Sequence, residues 1–423
     1  MHEHYDVIII GAGLAGLSAA KVLNEKGVNF KIIEAASRAG GKVLSSERMD
    51  RYFELGAQFV NEDMTEMTGL IKAAGMEIKR TDITENSVEI DEITKKAVDR
   101  FLNDIQKELN AEMKAKDERL SNLYEKRIKD NHLIKIIRSY HSELLNINPK
   151  YLSSKAVVDS SERYLSKKSD LTHQASGPLS NLILYLEGIS QDRIVYNEPV
   201  KEVFETDKGY SVRSVKNEYK ANAVIVAIPP TAASRIVYSP NLKSHFQEAL
   251  NSYTDGAIIK ITWVYEKAFW HRYLVEEKVK RLKGVIYTNP EGIAVVDSSK
   301  AEEESRLTMF IGADIAKMLA KRDKAQRLEF ALRLLIDVFG EKARNYVDAE
   351  ERIWVEDPYC GGGYSAKIHY GGLYNAADLL REAYHKLIFS SSEIAHSFPH
   401  FMEGAVRSGK YAANCILEAI DGR

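Results

Sequence analysis

Residues 6–16 read DVIIIGAGLAG, and this stretch decides the fold class of the chain. The apolar run of residues 6–10 is typical of a strand that is buried on both faces of a parallel sheet. Apolar positions then repeat at helical spacing from Leu14 to Leu23, and residues 29–33 form a second apolar run. A strand, a helix and a second strand within about thirty residues predict one βαβ unit, and therefore an α/β fold.

The turn between that first strand and the helix has the spacing G-x-G-x-x-G. Gly11 permits a tight turn, Gly13 allows the backbone to approach a pyrophosphate, and Gly16 allows the helix to pack closely on the strand. Free N–H groups at the helix start favour phosphate, and Glu34, at the end of the second strand, is placed to bind ribose hydroxyls. The unit predicts a dinucleotide site, for FAD or NAD, with contacts from Gly11, Gly13, Leu14, Ala15, Gly16, Glu34 and Ala35.

The composition excludes several classes of function. The chain has 423 residues and carries 59 Lys and Arg against 61 Asp and Glu, a balance that argues against a nucleic-acid-binding face. Its two cysteines, Cys360 and Cys415, exclude a disulfide scaffold and a cysteine zinc cluster, and they fit a reducing compartment. The longest apolar stretch, residues 7–20, is too short and too rich in glycine to span a bilayer. We therefore expect a soluble cytoplasmic protein, without a signal peptide or a C-terminal anchor, and with no nucleic-acid or membrane partner.

The later part of the chain predicts a helical insertion and further strands. Residues 98–109 and 133–144 have helical spacing within a segment rich in Lys and Glu, and we interpret this charge as a solvated outer face. We interpret the basic run of residues 278–283 as solvated surface as well. Apolar runs predict strands at residues 193–196, 200–204, 210–215, 223–228 and 256–265, and helices at residues 326–339 and 402–420. Since the sequence shows neither a repeat nor a linker, we expect domains that interleave.

A second glycine pair follows the βαβ unit, in the sequence Arg38-Ala39-Gly40-Gly41-Lys42. Two residues without side chains allow another close backbone approach, and the flanking cations can meet phosphate charge. Together with residues 54–59, ELGAQF, this segment resembles the N-terminal signature of FAD-containing oxidoreductases of the glutathione-reductase-like superfamily. The resemblance implies FAD, with additional contacts from Arg38, Gly40, Gly41, Lys42, Gly56, Ala57 and Gln58.

The C-terminal region resembles one family of that superfamily. Residues 387–395, LIFSSSEIA, and residues 401–409, FMEGAVRSG, are similar to the closing motif of the flavin monoamine oxidases. In that family an acidic residue, here Glu393, contacts the ribityl–phosphate chain, and the last helix, here starting at Met402, directs its amide end toward the isoalloxazine ring. Because flavin reduction places negative charge at N1 and O2, a helix N-terminus stabilises the reduced ring.

Three further segments agree with this family, and the resemblance extends over residues 5–417. The sequence DGAIIK, which ends at Lys260, is similar to the strand whose lysine holds a water near flavin N5. Trp354 and the sequence YCGGGY, which ends at Tyr364, are similar to the motif beside the ring, and a valine matching Val200 touches the adenine. The implied cofactor contacts are completed by Val200, Ala227, Trp354, Ser392, Glu393, Phe401 and Met402.

The resemblance implies catalytic roles for Lys260, Tyr364 and Phe401, with the two aromatic rings standing before the flavin as a cage for the amine. Phenylalanine keeps the π face of such a cage and loses the hydroxyl. Some family members carry a cysteine bonded covalently to the flavin where this chain has Gly363, so we expect a noncovalent FAD. Ser391 replaces a usual glycine near the cofactor, where its added Cβ would crowd the phosphate chain.

We therefore expect an FAD-dependent amine oxidase that passes hydride from the α-carbon of an amine to flavin N5 and yields an imine, with dioxygen reoxidising the flavin and releasing hydrogen peroxide. Its partners would be a small amine and O2, with a homodimer as one possible assembly and no metal. Two alternatives stay open: an L-amino-acid oxidase or C–C desaturase, and a non-catalytic FAD-bound interaction protein. His396 and His400 fall near the expected ring, although surface or core positions are commoner for such histidines.

The resemblance also divides the chain into two interleaved domains. Residues 1–79, 176–249 and 357–423 would form a Rossmann-like FAD-binding domain. Residues 80–175 and 250–356 would form an α+β substrate domain that combines a sheet with the helical insertion.

Overall fold

The computed structural model describes residues 4–48, 51–81, 88–89, 106–168, 172–275, 278–280, 282–300 and 303–421. The first part of the helix expected over residues 98–109 lies outside the described residues, as does Arg281 of the basic run.

The strands are β1 (His4–Ile10), β2 (Phe30–Ile33), β3 (Ser45–Arg48), β4 (Arg51–Glu54), β5 (Phe59–Val60), β6 (Ile78–Arg80), β7 (Val88–Glu89), β8 (His173–Ala175), β9 (Ile194–Val195), β10 (Val200–Thr206), β11 (Gly209–Ser214), β12 (Glu218–Val226), β13 (Val237–Ser239), β14 (Tyr253–Thr254), β15 (Ile258–Tyr265), β16 (Tyr273–Val275), β17 (Lys278–Lys280), β18 (Leu282–Tyr287), β19 (Ile293–Asp297), β20 (Ser305–Gly312), β21 (Asp348–Ile353), β22 (Lys367–Ile368) and β23 (Leu387–Phe389).

The α-helices are α1 (Leu14–Glu25), α2 (Thr65–Ala73), α3 (Gln106–Ala115), α4 (Leu120–Arg127), α5 (Asn131–Leu144), α6 (Ser154–Arg163), α7 (Ser180–Ser190), α8 (Pro230–Ala233), α9 (Ser244–Asn251), α10 (Ala313–Leu319), α11 (Lys324–Phe339), α12 (Ala376–Arg381) and α13 (Met402–Asp421).

The first sheet contains the predicted βαβ unit. Its strands follow the order β13-β10-β11-β12-β1-β2-β9, and β23 pairs with β12. β1 lies parallel to both β12 and β2, and Val7, Ile8 and Ile9 are fully buried. Burial on both faces of the sheet explains the unbroken apolar run that the sequence shows here. Helix α13 packs against α1, so the C-terminal end of the chain lies beside the N-terminal unit.

The second sheet has the order β21-β15-β20-β19-β18-β7 and is antiparallel apart from the β18–β7 pair. Its central strand β15 is buried along its whole length. Ile259, Ile261 and Trp263 belong to a hydrophobic core that also holds Ala331 and Leu335 of α11. This packing leaves the alternate residues of β15, among them Lys260, to the opposite face of the sheet.

The helical insertion packs on the second sheet and has a small core of its own. Asp130 caps α5 by accepting hydrogen bonds from the backbone N–H groups of His132 and Leu133. Leu123, Tyr124 and other side chains of α4, α5 and α6 form the separate core. Because α5 also contacts β18, β19 and β20, its C-terminal end is held close to the sheet that carries Lys260.

The α/β class predicted from the sequence is confirmed: a parallel-rich sheet with its βαβ unit lies beside an antiparallel sheet roofed by helices. The first sheet draws strands from residues 4–33, 194–239 and 387–389. The exact division of the chain into domains stays a prediction.

Candidate functional site

A long cleft opens at the carboxyl ends of β1 and β2 and runs past the start of α13. Its volume is about 320 Å³, within the range of roughly 300–1,000 Å³ that is common for small-molecule pockets. Ligands of open α/β sheets bind outside the carboxyl ends of the strands, and this is where the cleft begins. The lining residues extend from the ends of β1 and β2 to the start of α13, and this length suits an extended ligand.

The three motif glycines have different roles in this geometry. A Cβ at Gly11, where φ is +100°, would lie 2.7 Å from the carbonyl oxygen of Ala227, and a Cβ at Gly16 would lie 2.0 Å from the carbonyl oxygen of Gly11. A Cβ at Gly13 would meet no heavy atom within 4 Å. The packing of the protein itself therefore requires glycine at Gly11 and Gly16, whereas Gly13 leaves space at the wall of the cleft.

The N-terminus of α1 faces the cleft through Gly13, Leu14 and Ala15. Gly13 is the N-cap residue and offers no side chain that could accept a hydrogen bond from the first turn. Unpaired N–H groups at a helix N-terminus, together with the helix dipole, favour an anionic group.

Glu34 lines the cleft at the end of β2, but its carboxylate is already engaged by the backbone. Oε2 accepts a hydrogen bond from the N–H of Ala12 at 2.6 Å, and Oε1 accepts one from the N–H of Ala36 at 2.7 Å. Burial raises the pKa of Glu34 above its ordinary value, and the backbone donors and Arg38 oppose this shift. The side chain thus fixes the turn as well as presenting a carboxylate to the cleft.

The two cations of the second glycine segment have different environments. The guanidinium of Arg38 donates to the carbonyl oxygens of Ala39 and Gly41, at 2.9 and 2.7 Å, and Arg38 does not line the cleft. This cation therefore holds the loop, and its expected contact with phosphate stays a prediction. Lys42 lines the cleft and donates to Oε1 of Glu393 at 3.3 Å.

Glu393 is 2% exposed and also accepts a hydrogen bond from the backbone N–H of Ala366 at 3.1 Å. Burial raises the pKa of this carboxyl, but the Lys42 ammonium and the hydrogen-bond donors outweigh burial and hold its pKa below the usual range. Glu393 is therefore a carboxylate at neutral pH, at a position where it borders the cleft.

Lys260 projects from β15 behind the cleft wall and is 3% exposed. Its Nζ donates to the carbonyl oxygen of Gly56 at 3.0 Å and to Oε1 of Gln58 at 2.7 Å. Burial lowers the pKa of the lysine, and the nearby buried carboxyl of Glu54 opposes that shift. Burial raises the pKa of Glu54 in turn. Lys260 and Glu54 thus place an amine and a carboxyl group, each able to bind a proton, near each other in a buried environment.

Trp354, which directly follows β21, closes the same region. Its indole N–H donates to the carbonyl oxygen of Leu55 at 2.9 Å, and a Cβ at Gly56 would lie 3.2 Å from the indole ring and 2.0 Å from the carbonyl oxygen of Lys42. Trp354, Gly56 and Gln58 thus form a layer that lies behind the cleft and holds Lys260 in place.

The two predicted cage aromatics both line the cleft. The ring of Phe401 stacks on Tyr164, with centroids 4.7 Å apart and an interplanar angle of 23°. The ring of Tyr364 packs edge-on against Phe310 at 6.0 Å, and the Nζ of Lys260 lies 5.7 Å from the centroid of the Phe310 ring. Phe310 therefore connects the lysine to the cage tyrosine.

The hydroxyl of Tyr364 donates a hydrogen bond to Oε1 of Glu143 at 2.8 Å. Glu143, Tyr164 and Glu54 were not predicted from the sequence. Glu143 and Tyr164 lie in the helical insertion, about 200 residues or more before their aromatic partners, so no local pattern indicates these contacts. Glu54 is part of the quoted ELGAQF segment, where an acidic residue at the end of a buried strand was the available signal.

His400 and Cys360 also border the cleft. His400 has a left-handed φ of +73°, and its Nε2 lies 2.6 Å from the hydroxyl of Ser160. Burial, followed by the charges of Lys367, Arg163 and Lys42, lowers the pKa of His400 well below its usual value, so the ring is neutral. Burial raises the pKa of the Cys360 thiol to about 12. His396 is exposed to solvent.

Most of the predicted site residues therefore lie along one cleft. Those that line it are Gly11, Gly13, Leu14, Ala15, Glu34, Ala35, Gly40, Gly41, Lys42, Ala57, Val200, Ala227, Tyr364, Ser392, Glu393, Phe401 and Met402. Those that stand behind its wall are Gly16, Arg38, Gly56, Gln58, Lys260 and Trp354.

Two kinds of feature are absent from the part of the chain that the structure describes. Within that part of the chain, no helix has the length and apolarity that crossing a bilayer requires. Within the same residues, no group of three or more His, Cys, Asp or Glu side chains is arranged to hold a metal ion.

Comparison with known proteins shows relatives along the whole chain. The family described as flavin containing amine oxidoreductase matches residues 14–89 and 79–417. Flavin-containing amine oxidase A of Sus scrofa is 28% identical over 462 residues, which cover 98% of this chain and 85% of that protein. Flavin-containing amine oxidase B of Homo sapiens is 26% identical over 465 residues, with 99% and 87% covered.

Solved structures with the same fold include a cyclohexylamine oxidase and a putrescine oxidase. Cyclohexylamine oxidase from Brevibacterium oxydans IH-35A aligns with a TM-score of 0.87 at 20% identity, covering 99% of each chain. Wild-type putrescine oxidase bound to putrescine aligns with a TM-score of 0.84 at 24% identity, covering 98% of this chain and 99% of that one.

Proposed function

The chain belongs to the flavin-containing amine oxidoreductases and is an FAD-dependent amine oxidase, and we propose that it oxidises a small amine at the α-carbon, with dioxygen as the electron acceptor. When bound, FAD supplies the redox chemistry by accepting hydride at N5 and returning electrons to dioxygen, which leaves as hydrogen peroxide. The imine product then hydrolyses to an aldehyde. The protein's part is to hold the cofactor, orient the amine and control protons.

The cleft fits this cofactor. The open space at Gly13 and the uncapped start of α1 suit a pyrophosphate, and Glu34 lies at the end of β2, where ribose hydroxyls are bound in such folds. We propose that every cleft-lining residue named above takes part in holding FAD or the amine. Noncovalent binding is supported by Gly363, which has no thiol, and by Cys360, whose raised pKa leaves it as an unreactive thiol.

The single observation that carries the proposal is the placement of Lys260. A lysine is rarely buried in a strand core, and here two acceptors hold its amine behind the wall that bears Tyr364. Because its pKa is lowered by burial, the amine can hold or release a proton near neutral pH. We propose that Lys260 orients a water at the reaction centre through this proton.

Tyr364 and Phe401 present their rings to the cleft and would confine the amine between two π faces. Such faces attract a cationic amine and exclude water from the reacting carbon. Phe401 is fixed by its stacking on Tyr164, and Tyr364 by Phe310 and by Glu143.

An amino-acid substrate is disfavoured by the charges of the cleft. Such a substrate needs a buried arginine for its carboxylate, and among the residues that the structure describes the one arginine that lines the cleft is Arg235, whose side chain is 63% exposed and paired with Asp255. Arg163 lies at a smaller neighbouring cavity and is paired with Asp159. The neutral or cationic amine is therefore the favoured class.

The proposal is tested with Lys260→Met. The purified protein should be yellow, and its flavin should be reduced anaerobically by at least one amine of a panel of n-butylamine, benzylamine, phenylethylamine and 1,4-diaminobutane. Lys260→Met should retain FAD but slow flavin reduction or reoxidation by roughly tenfold or more, because a preorganised donor is lost. Lys300→Met is the matched control: Lys300 is also buried and donates to Tyr52, but it does not line the cleft. Unchanged rates of both half-reactions in Lys260→Met would refute the role of this lysine, and a colourless protein that takes up no FAD would refute the function.

A further inference from the structure

The two walls of the aromatic cage differ in chemistry. Phe401 has no hydroxyl, whereas Tyr364 carries a hydroxyl that donates to Glu143 at 2.8 Å. Among the cage rings, Tyr364 is thus the one able to exchange a proton with a substrate in the cleft. A hydroxyl can accept one proton while it donates another. A tyrosine that is hydrogen-bonded to a carboxylate can therefore relay a proton from a substrate to that carboxylate.

Glu143 is suited to receive such a proton. Glu143 lies near the C-terminal end of α5, where its carboxyl group is surrounded by protein. Burial raises the pKa of this carboxyl to about 7, although the hydrogen bond from Tyr364 opposes the shift. Burial raises the pKa of Tyr364 well above its usual value. The tyrosine therefore does not keep a negative charge and passes a proton on, whereas the glutamate alternates between its two states near neutral pH.

The other charged side chains around α5 pair with groups other than Glu143 or face solvent. α5 packs against α4, the turn at Pro149–Tyr151, and strands β18, β19 and β20. On and around these elements His132, Lys135 and Glu125 are exposed. The remaining charged groups described there pair as follows: Arg138 with Glu291, His141 with Tyr124, Lys126 with Glu118, Arg127 with Glu112, Lys150 with Asp314, Asp297 with His271, and Arg306 with Glu304.

We propose that Glu143 accepts the proton of the substrate ammonium through the hydroxyl of Tyr364. The inference rests on the proposed function, since an amine must be neutral before its α-carbon releases hydride. In this step a nitrogen-bound proton of the ammonium moves to the oxygen of Tyr364, while the hydroxyl proton of Tyr364 moves to Oε1 of Glu143. The ammonium becomes an amine, the carboxylate becomes a carboxylic acid, and Tyr364 stays neutral. Glu143 is thus a positioning and proton-accepting residue that acts through Tyr364.

The test is the pH dependence of flavin reduction in the holoenzyme. Anaerobic stopped-flow experiments would use the amine of the panel that reduces the wild-type flavin fastest, and would measure the reduction rate divided by the amine's Kd. In the wild type this ratio should rise up to about pH 7 and then stay flat until the amine itself loses its proton, near pH 10 for an alkylamine. Such a profile is expected of an enzyme that binds the ammonium form and deprotonates it within the site.

Glu143→Gln keeps the shape and an acceptor for Tyr364 but cannot take the proton. Its ratio should rise about tenfold per pH unit up to the pKa of the free amine, because only the neutral amine reacts. The loss relative to the wild type should be on the order of 100-fold at pH 8 and should disappear near pH 10. Tyr364→Phe should give the same profile, and the double variant should lose no more than either single one.

Glu291→Gln is the matched control, because Glu291 also pairs with a residue of α5, Arg138, but lies outside the cleft. It should keep the wild-type profile. A Glu143→Gln profile equal to the wild type, or a loss of equal size at every pH, would overturn the relay; should this variant not fold, Tyr364→Phe decides by the same criteria. If no amine of the panel reduces the wild-type flavin, the proposed function itself fails, and this outcome is separate from failure of the relay.

Discussion

Gly13→Ala and Gly16→Ala should affect different properties of the protein, although both residues belong to one turn. The first should weaken FAD binding, and the second should lower the stability of the fold. A Cβ at Gly13 meets no heavy atom within 4 Å, at a position that lines the cleft. The backbone there has φ −71° and ψ 176°, which any residue adopts. A Cβ at Gly16 would lie 2.0 Å from the carbonyl oxygen of Gly11. Gly13→Ala therefore alters the cleft, and Gly16→Ala alters the packing of the protein.

The magnitudes follow from these contacts. Replacing Gly by Ala at an N-cap costs about 1 kcal/mol or less, so apo Gly13→Ala should melt within about 3 °C of the wild type. Forcing a methyl group into the closed contact at Gly16 should cost about 1–3 kcal/mol or more. If the methyl at Gly13 separates one N–H group from a phosphate, the loss of about 1.5–3 kcal/mol weakens FAD binding roughly 10- to 100-fold.

The assay combines thermal melts of the FAD-free proteins with titrations of FAD followed by flavin fluorescence. Gly13→Ala should keep its apo stability and lose affinity for FAD, whereas Gly16→Ala should lose apo stability. A folded Gly13→Ala that binds FAD as tightly as the wild type would refute the assignment of this wall to the pyrophosphate. Apo destabilisation larger for Gly13→Ala than for Gly16→Ala would refute the packing argument.

Two further predictions concern Asn146 and Glu143. A Cβ at Gly363 would lie 2.0 Å from Oδ1 of Asn146, so Gly363→Ala should destabilise the protein by roughly 1–3 kcal/mol. Adding Asn146→Gly should restore part of that loss in thermal melts, and a double variant less stable than Gly363→Ala would contradict the steric cause. For Glu143, whose pKa burial raises from 4.5 to about 7, the stability contributed by the protonated form is present below its ordinary pKa and is lost as pH rises through about 7. The stability of Glu143→Gln relative to the wild type should therefore increase between about pH 5 and pH 8. A difference in melting temperature between the two proteins that stays constant over this pH range would contradict this.

The local parts of the fold could be predicted because their causes are local. The βαβ unit follows from an apolar run, a glycine turn and helical spacing within residues 6–33, and the structure has β1, α1 and β2 there. Gly27, just after α1, has a left-handed φ of +70°, as glycines at helix ends commonly do. Lys260 was singled out by the resemblance of its strand to the family's lysine strand, and its place in an alternating apolar run accounts for its burial.

The contacts between distant segments could not be predicted, since nothing in one segment encodes its partner. Glu143 meets Tyr364 only because α5 packs on the second sheet. The expected contact of Arg38 with phosphate stays a prediction, and the hydrogen bonds that its guanidinium donates to the carbonyl groups of its own loop were not predicted. The glycine at Gly363, noted for its missing thiol, also accommodates the amide of Asn146.

We propose that this cleft binds FAD and that an amine reduces the bound flavin. The most direct measurement is the visible spectrum of the purified protein, recorded anaerobically before and after addition of each amine of the panel. We predict that the flavin absorbance is bleached by at least one amine and returns on admission of oxygen, with hydrogen peroxide and the aldehyde as products. A flavin that stays oxidised with every amine, or that is bleached only by amino acids, would show that the protein is not an oxidase of small amines.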